Sequence, residues 1–230
     1  MDTVMPPDSP TDVGHTVLHV RVGSQAHGLA GPDSDADSRR VFVVPTADLF
    51  RLDFKAPDTR WTKGPDDQTA WEIGPFLSLA VQCHPLILET FLAPVIITDE
   101  WGTELRALLP AIWTPQRAYE AFIGYGLNQR KKFLDKKDGR PAKYAASYIR
   151  VLYNLCELLE TGVFAVRIID TPIGRTIARL KDGAFRAGEV IDLAEQWTEI
   201  ATQRLAHCRH QPHLETVNQF MIRIRKAFLA

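Results

Sequence analysis

Residues 16–22, TVLHVRV, alternate aliphatic and polar side chains with a period of two, which predicts a β-strand. It stops at Gly23-Ser24, where a short helical turn through Gln25, Ala26 and His27 can begin with Ser24 as its N-cap. Turn-forming residues fill 28–34, and 35–44 reads as a second strand closing on the apolar run VFVV. A polar connection holding Pro57, Gly64 and Pro65 leads to QTAWEI, a third strand. FLSLAVQC then turns helical, followed by HPLILETFLAP.

From about Trp113 the apolar period lengthens to that of a helix. AYEAFIGYGLNQRKKFL spaces Tyr119, Phe122, Ile123 and Leu127 on one face. KYAASYIRVLYNLCELLETG does the same with Tyr144, Tyr148, Val151, Leu152, Leu155 and Leu159, and Gly162 is its natural stop. Apolar residues extend well around this second helix, which predicts burial on more than one side. Two further helices fit 191–205 and 214–229. The pattern predicts an α+β chain: a flexible lead-in over 1–14, a sheet-containing domain over 15–112, and an α-helical domain over 113–230.

Composition changes this picture little. An apolar share of 45% and a charged share of 24% suit a folded soluble protein. No apolar run approaches the ~20 residues that cross a bilayer. The acidic, proline-rich start lacks the basic and apolar regions of a secretory signal. Cys83, Cys156 and Cys208 are odd in number and far apart, so free thiols in a reducing, cytoplasmic setting are expected. Charge is more telling. The net value of −1 hides a first half (1–110) with 8 Lys/Arg against 16 Asp/Glu and a second half with 19 against 12. An acidic half that needs cations beside a basic half that attracts anions suits a polyphosphate lying between them, although two ordinary domains can differ in this way by chance.

The stretch GSQAHGLAGPDSDADSRRVFVVP concentrates the chemistry. Asp33, Asp35 and Asp37 repel one another, a cost that a cation would offset. In a strand, Asp35 and Asp37 fall on one face and can share Mg²⁺, or bridge two such ions about 3.5–4 Å apart. Asp33, after Pro32, reads instead as a turn cap. Gly23 lets a phosphate approach the backbone, where the N–H groups of the following turn point at it. The stretch has neither the lysine of a Walker A loop, nor GxGxxG, nor the ligand series of an EF-hand.

A GS, then a glycine, then SDADSRRVFVVP resembles the signature of the DNA polymerase β-like nucleotidyltransferase superfamily. More narrowly it is similar to the bacterial and phage RNA-repair-pathway DNA polymerase β family, which reads approximately GSxxYGLxxPxSDxDxRGVFVxP. TAWEIGPFLSLAVQCHPLILETFLAP is similar to that family's acidic strand, helix and NPxxxExL element, and KYAASYIRVLYNLCELLETG to its helical segment ending in TG. The resemblance covers about 16–165. It implies a palm-like mixed sheet that transfers a nucleoside monophosphate from an NTP to an acceptor hydroxyl, releasing pyrophosphate. Gly23 and Ser24, with Ser34, would then hold the triphosphate, and Asp35 and Asp37 the Mg²⁺ or Mn²⁺ ions. A third carboxylate, catalytic base and metal ligand, would be Asp67, with Glu72 as the second choice. Three departures stand out: Arg40 replaces a glycine, His27 a tyrosine, and Cys83-His84 the residues before the family's Pro. Glu89 reads as structural.

Other residues carry two readings each. His27 could contact a phosphate or base, or be a solvated turn histidine. Arg39 alternates onto the aspartate face, where it could pair with a carboxylate or a phosphate; Arg40 could alter the nucleotide pocket. Lys143, Ser147, Arg150, Asn154 and Glu157 form one polar stripe, from which Lys143 and Arg150 are expected to face the nucleotide. QRKKFLDKKDGRPAK holds seven cations and two acids; it is either a solvated helix face or, from Arg130 to Lys143, a contact for RNA. The acceptor is accordingly expected to be an RNA end, with a protein partner, as in antitoxin-type nucleotidylation, as the alternative and a small molecule third. A non-catalytic nucleotide-binding module is the remaining class. HCRHQPH, 207–213, lacks a second paired half for zinc and reads as an interhelical loop.

Overall fold

The alternating segment of residues 16–22 lies inside a five-stranded mixed sheet, as β1 (His15–Arg21). The other strands are β2 (Ser38–Val43), β3 (Thr59–Thr62), β4 (Gln68–Glu72) and β5 (Val95–Thr98), in the spatial order β3-β4-β2-β1-β5. The computed structural model describes residues 14–32, 34–55, 59–62 and 68–229. β1 is antiparallel to both β2 and β5, β2 is parallel to β4, and β3 is antiparallel to β4. The helices are α1 (Gly23–His27), α2 (Ile73–Val81), α3 (Pro85–Leu92), α4 (Glu100–Ala107), α5 (Leu109–Ile112), α6 (Pro115–Leu134), α7 (Pro141–Thr161), α8 (Gly174–Lys181), α9 (Ala187–His207) and α10 (Leu214–Ala227). The chain is therefore α+β, a mixed sheet followed by a helical half.

Strand alternation decides what each face of the sheet does. Val41 and Val43 join Val17 and Val20 in the main core, while Phe42 and Val44 pack with Ala70 on the opposite face. The main core runs through Phe76 of α2 and Phe91 of α3 to Phe122 of α6, Leu155 of α7 and Phe220 of α10. Apolar packing thus continues unbroken past residue 112. α7 is buried on two sides as its sequence predicts: Val151, Leu155 and Leu158 face the main core, whereas Ile149, Leu152 and Tyr153 meet Ile177 of α8 and Val190 of α9.

Local chemistry sets the ends of the long helices. Thr114 Oγ1 accepts from Arg117 N (3.3 Å), and Pro115 supplies a first helical residue that needs no N–H partner. Gly162 ends α7 in the left-handed region (φ 84°), its N–H donating to Leu158 O (2.9 Å).

Several boundaries differ from the sequence reading. β2 starts at Ser38, not at residue 35, so Asp35 and Asp37 lie on the chain that leads into it. Val22, not Ser24, is the N-cap position of α1, which begins at Gly23. α2 begins at Ile73 because the Glu72 carboxylate accepts from Gly74 N (2.7 Å), which also ends β4. Cys83 takes a φ of 58°, a conformation that glycine adopts without strain. Among the described residues no single helix is long and apolar enough to cross a membrane.

Candidate active site

The end of β1 and the lead-in to β2 are stitched together. Val22 N donates to Asp37 O (3.0 Å), and Arg21 Nη1 donates to Ala36 O (2.9 Å). Gly23 follows with a φ of 67°, and a Cβ placed on it would overlap Asp37 Oδ2. Only glycine satisfies both the backbone angle and the approach of that carboxylate. Ser34 Oγ accepts from Gly31 N (2.8 Å), closing the turn before the acidic pair.

These residues form one side of a cleft of about 630 Å³. Gly23, Ser24, His27, Ser34, Asp35, Asp37 and Arg39 line it from the sheet side. The helical half supplies the facing wall: Tyr125, Gln129 and Lys132 from α6, Lys143, Ser147 and Arg150 from α7, and Ile177 and Lys181 from α8. The polar stripe predicted on α7 divides accordingly. Its first three members reach the cleft, Asn154 is buried, and Glu157 pairs with Arg204 (3.5 Å).

Two predicted residues stand apart. Arg40 points to the opposite face of the sheet from Arg39, opposite His19 of β1, so it does not line the cleft. Glu72 lies four residues along β4 from Gln68, the partner of Ser38, and is buried. Its oxygens are engaged by Gly74 N and by both terminal nitrogens of Arg225 (2.7 and 2.8 Å), so it secures α10 to the sheet and does not face the cleft. Asp67, the first choice for a third carboxylate, and Asp33 lie outside the described residues.

Glu89, read from the sequence as structural, lies at the base of the cleft with 2% exposure. Its Oε2 accepts from Arg150 Nη1 (2.8 Å), while Oε1 lies 3.5 Å from Arg39 Nη1 and 3.8 Å from His27 Nε2. Burial alone would raise the carboxyl pKa, but Arg150, with His27 and Arg39, overcomes this and lowers it to about 2. His27 is buried rather than solvated, its Nδ1 2.9 Å from Val166 O. Desolvation and then Arg150 depress its pKa to about 4, leaving it neutral near pH 7. Arg39 also donates to Leu86 O. Two guanidiniums thus share one buried carboxylate.

Sequence reasoning missed Tyr125, Gln129 and Lys181 as cleft residues, and offered Lys132 and Arg140 only within the basic run from Arg130 to Lys143. For Tyr125, Gln129 and Lys132 a signal existed: they sit four and three residues apart and share a face of α6. Lys181 gave none, because it reaches the cleft only through the packing of α8, where its Nζ donates to Leu29 O. The lining carries six cations (Arg39, Lys132, Arg140, Lys143, Arg150, Lys181) against three carboxylates (Asp35, Asp37, Glu89). Such an excess favours a polyanion.

Asp35, Asp37 and the hydroxyls of Ser24 and Ser34 form an all-oxygen donor set, suited to a hard divalent ion such as Mg²⁺ or Mn²⁺ rather than to a softer metal. The absent Gly23 side chain lets the Asp37 carboxylate lie against the backbone at the mouth of α1. The residues present therefore fit such an ion, although among the described residues no three His, Cys, Asp or Glu side chains cluster to hold one. HCRHQPH is the loop between α9 and α10, and its His210 stacks on Trp113 (3.8 Å between centroids, 3° between planes).

The sequence model of the RNA repair pathway DNA polymerase beta family matches residues 9–168. No curated protein matches the chain. Among solved structures, a nucleotidyltransferase-like protein from Exiguobacterium sibiricum matches at 12% identity, over 93% of this chain and 74% of that one, with a TM-score of 0.29. The family match spans more than half of the chain, including the whole acidic side of the cleft and the α7 wall opposite it. The chain belongs to the RNA repair pathway DNA polymerase beta family.

Proposed function

We propose that this protein transfers a nucleoside monophosphate from an NTP to the terminal hydroxyl of an RNA. One observation carries the reading: the Gly23–Asp37 contact places the acidic pair in the same cleft as six cations. The triphosphate lies against Gly23 and Ser24, with Ser34, Arg39, Lys143 and Arg150 around it. Asp35 and Asp37, together with Asp67, hold Mg²⁺, which when bound supplies charge neutralisation for the triphosphate. The acceptor oxygen forms a bond to the α-phosphorus as the bond to the β-phosphate bridge breaks, and pyrophosphate leaves. The hydroxyl proton passes to a carboxylate, a role assigned to Asp67.

The basic excess supports RNA as acceptor. Lys132, Arg140 and Lys143 line the cleft, and Lys131, Lys136 and Lys137 continue exposed beyond it, a track suited to a phosphodiester backbone. The test is incubation of the protein with α-labelled NTPs, Mg²⁺ and a short RNA carrying a free 3′ hydroxyl. Label should move to the RNA with the wild type and not with the folded Asp35→Asn/Asp37→Asn protein. Equal labelling by both proteins would remove the proposal. Labelling of a protein in place of RNA would keep the transfer and replace the acceptor.

A further inference from the structure

Gln129 is 5% exposed, yet its carboxamide lines the cleft and makes no side-chain hydrogen bond among the described residues. A buried amide is normally paired, so one left open towards a cavity marks a place where a ligand completes the bonding. Its position within the cleft indicates which part of a nucleotide would do so. One turn earlier on α6, Tyr125 lines the cleft with Arg39, Glu89 and Arg150. One turn later, Lys132 stacks over the Tyr144 ring at 5.7 Å. The cleft also has apolar wall, from Ala146, Ile177 and Leu29. Apolar wall beside an open amide suits a heterocycle better than a phosphate.

We infer that Gln129 recognises the base of the bound nucleotide, and that the base is adenine. This rests on the nucleotidyltransferase reading above. A carboxamide presents one acceptor and one donor side by side, the complement of the adenine amino group and its neighbouring ring nitrogen. On this wall the charged neighbours of Gln129 are Lys132, Arg140, Lys143 and Lys181, all donors. The amide oxygen is therefore the acceptor available to an exocyclic amine. Guanine and uracil carry a carbonyl oxygen where adenine carries that amine, and cytosine, which shares the donor and acceptor pair, covers less of the apolar wall.

The experiment is a thermal-shift series on the full chain with Mg²⁺ and ATP, GTP, CTP, UTP or inorganic tripolyphosphate. ATP should raise the melting temperature of the wild type most. Gln129→Leu, of similar bulk, should lower the ATP shift to that of the other NTPs and leave the tripolyphosphate shift unchanged. Gln129→Met serves as a second test of the same loss should the leucine variant melt early without ligand. An unchanged ATP preference in a folded variant overturns the inference, as does a wild type that favours another base. A wild type shifted by no NTP overturns the nucleotidyltransferase reading itself, so the two failures are distinguishable.

Discussion

Gly23 and Asp37 are in mutual contact, the glycine lacking a side chain at the point where the aspartate carboxylate passes. With φ at 67°, Gly23→Ala faces both a left-handed backbone, worth about 1–2 kcal/mol, and a clash that displaces Asp37. We expect a melting temperature a few degrees lower and nucleotidyl transfer reduced at least tenfold. Transfer at the wild-type level would show that the position of Asp37 does not matter to the chemistry.

Glu89 is the shared counter-charge for Arg39 and Arg150. Glu89→Gln leaves two guanidiniums buried with no anion between them and should cost about 3–5 kcal/mol in urea unfolding. Added tripolyphosphate should recover more stability in this variant than in the wild type, because it supplies the missing negative charge. A variant as stable as the wild type would mean that the guanidiniums find other partners.

Stability should fall on acidification in two windows. His27 is held neutral, its pKa lowered from 6.5 to about 4. The unfolded chain therefore takes up the proton first, and the stability His27 contributes is complete above pH 6.5 and lost between there and pH 4. Glu89 is held ionised, its pKa lowered from 4.5 to about 2, so its contribution is lost between those values. His27→Asn should flatten the upper window when unfolding free energy is measured at pH 7 and pH 5. It will not abolish the slope, since His19, His84 and His210 are also pushed down by burial.

Arg225 holds the buried Glu72 carboxylate. Arg225→Ala should destabilise by about 3 kcal/mol or more in chemical denaturation, because the anion it leaves is away from water. Arg225→Lys, which keeps the charge but not the two-nitrogen fork, should lie between the two. If the alanine protein unfolds like the wild type, Glu72 has another neutralising partner.

RNA affinity should depend on salt through the exposed track. Replacing Lys131, Lys136 and Lys137 by alanine should flatten the dependence of log affinity on log salt by up to about 0.7 per lost contact for single-stranded RNA. The NTP-induced thermal shift should stay as in the wild type. An unaltered slope would place the RNA elsewhere on the surface.

Much of this was legible in the sequence because it is local. The period of β1, the faces of α6 and α7, the stop at Gly162 and the motif from Gly23 to Asp37 each depend on residues within one or two turns of chain. What escaped depends on convergence. Glu89 looked structural because its three partners come from α1, β2 and α7, which adjoin only once the sheet and helices have packed. Its buried pairing and its place in the cleft are one fact. β5 escaped for another reason: VIIT is four residues long and exposed along its whole length, so it shows no alternation to read. Glu72 was misjudged because it sits on the expected strand, but four residues from the end beside the acidic pair, and its partner Arg225 is 153 residues away.

That last separation also orders events during synthesis. The strand carrying Glu72 leaves the ribosome long before residue 225 exists, and until then its carboxylate has no cation to enter the core with. The sheet can collapse early, but it cannot seal. The nascent chain must therefore keep that end of β4 wet until α10 arrives, so a helix whose Arg225 follows Glu72 by 153 residues acts as the latch that closes the sheet.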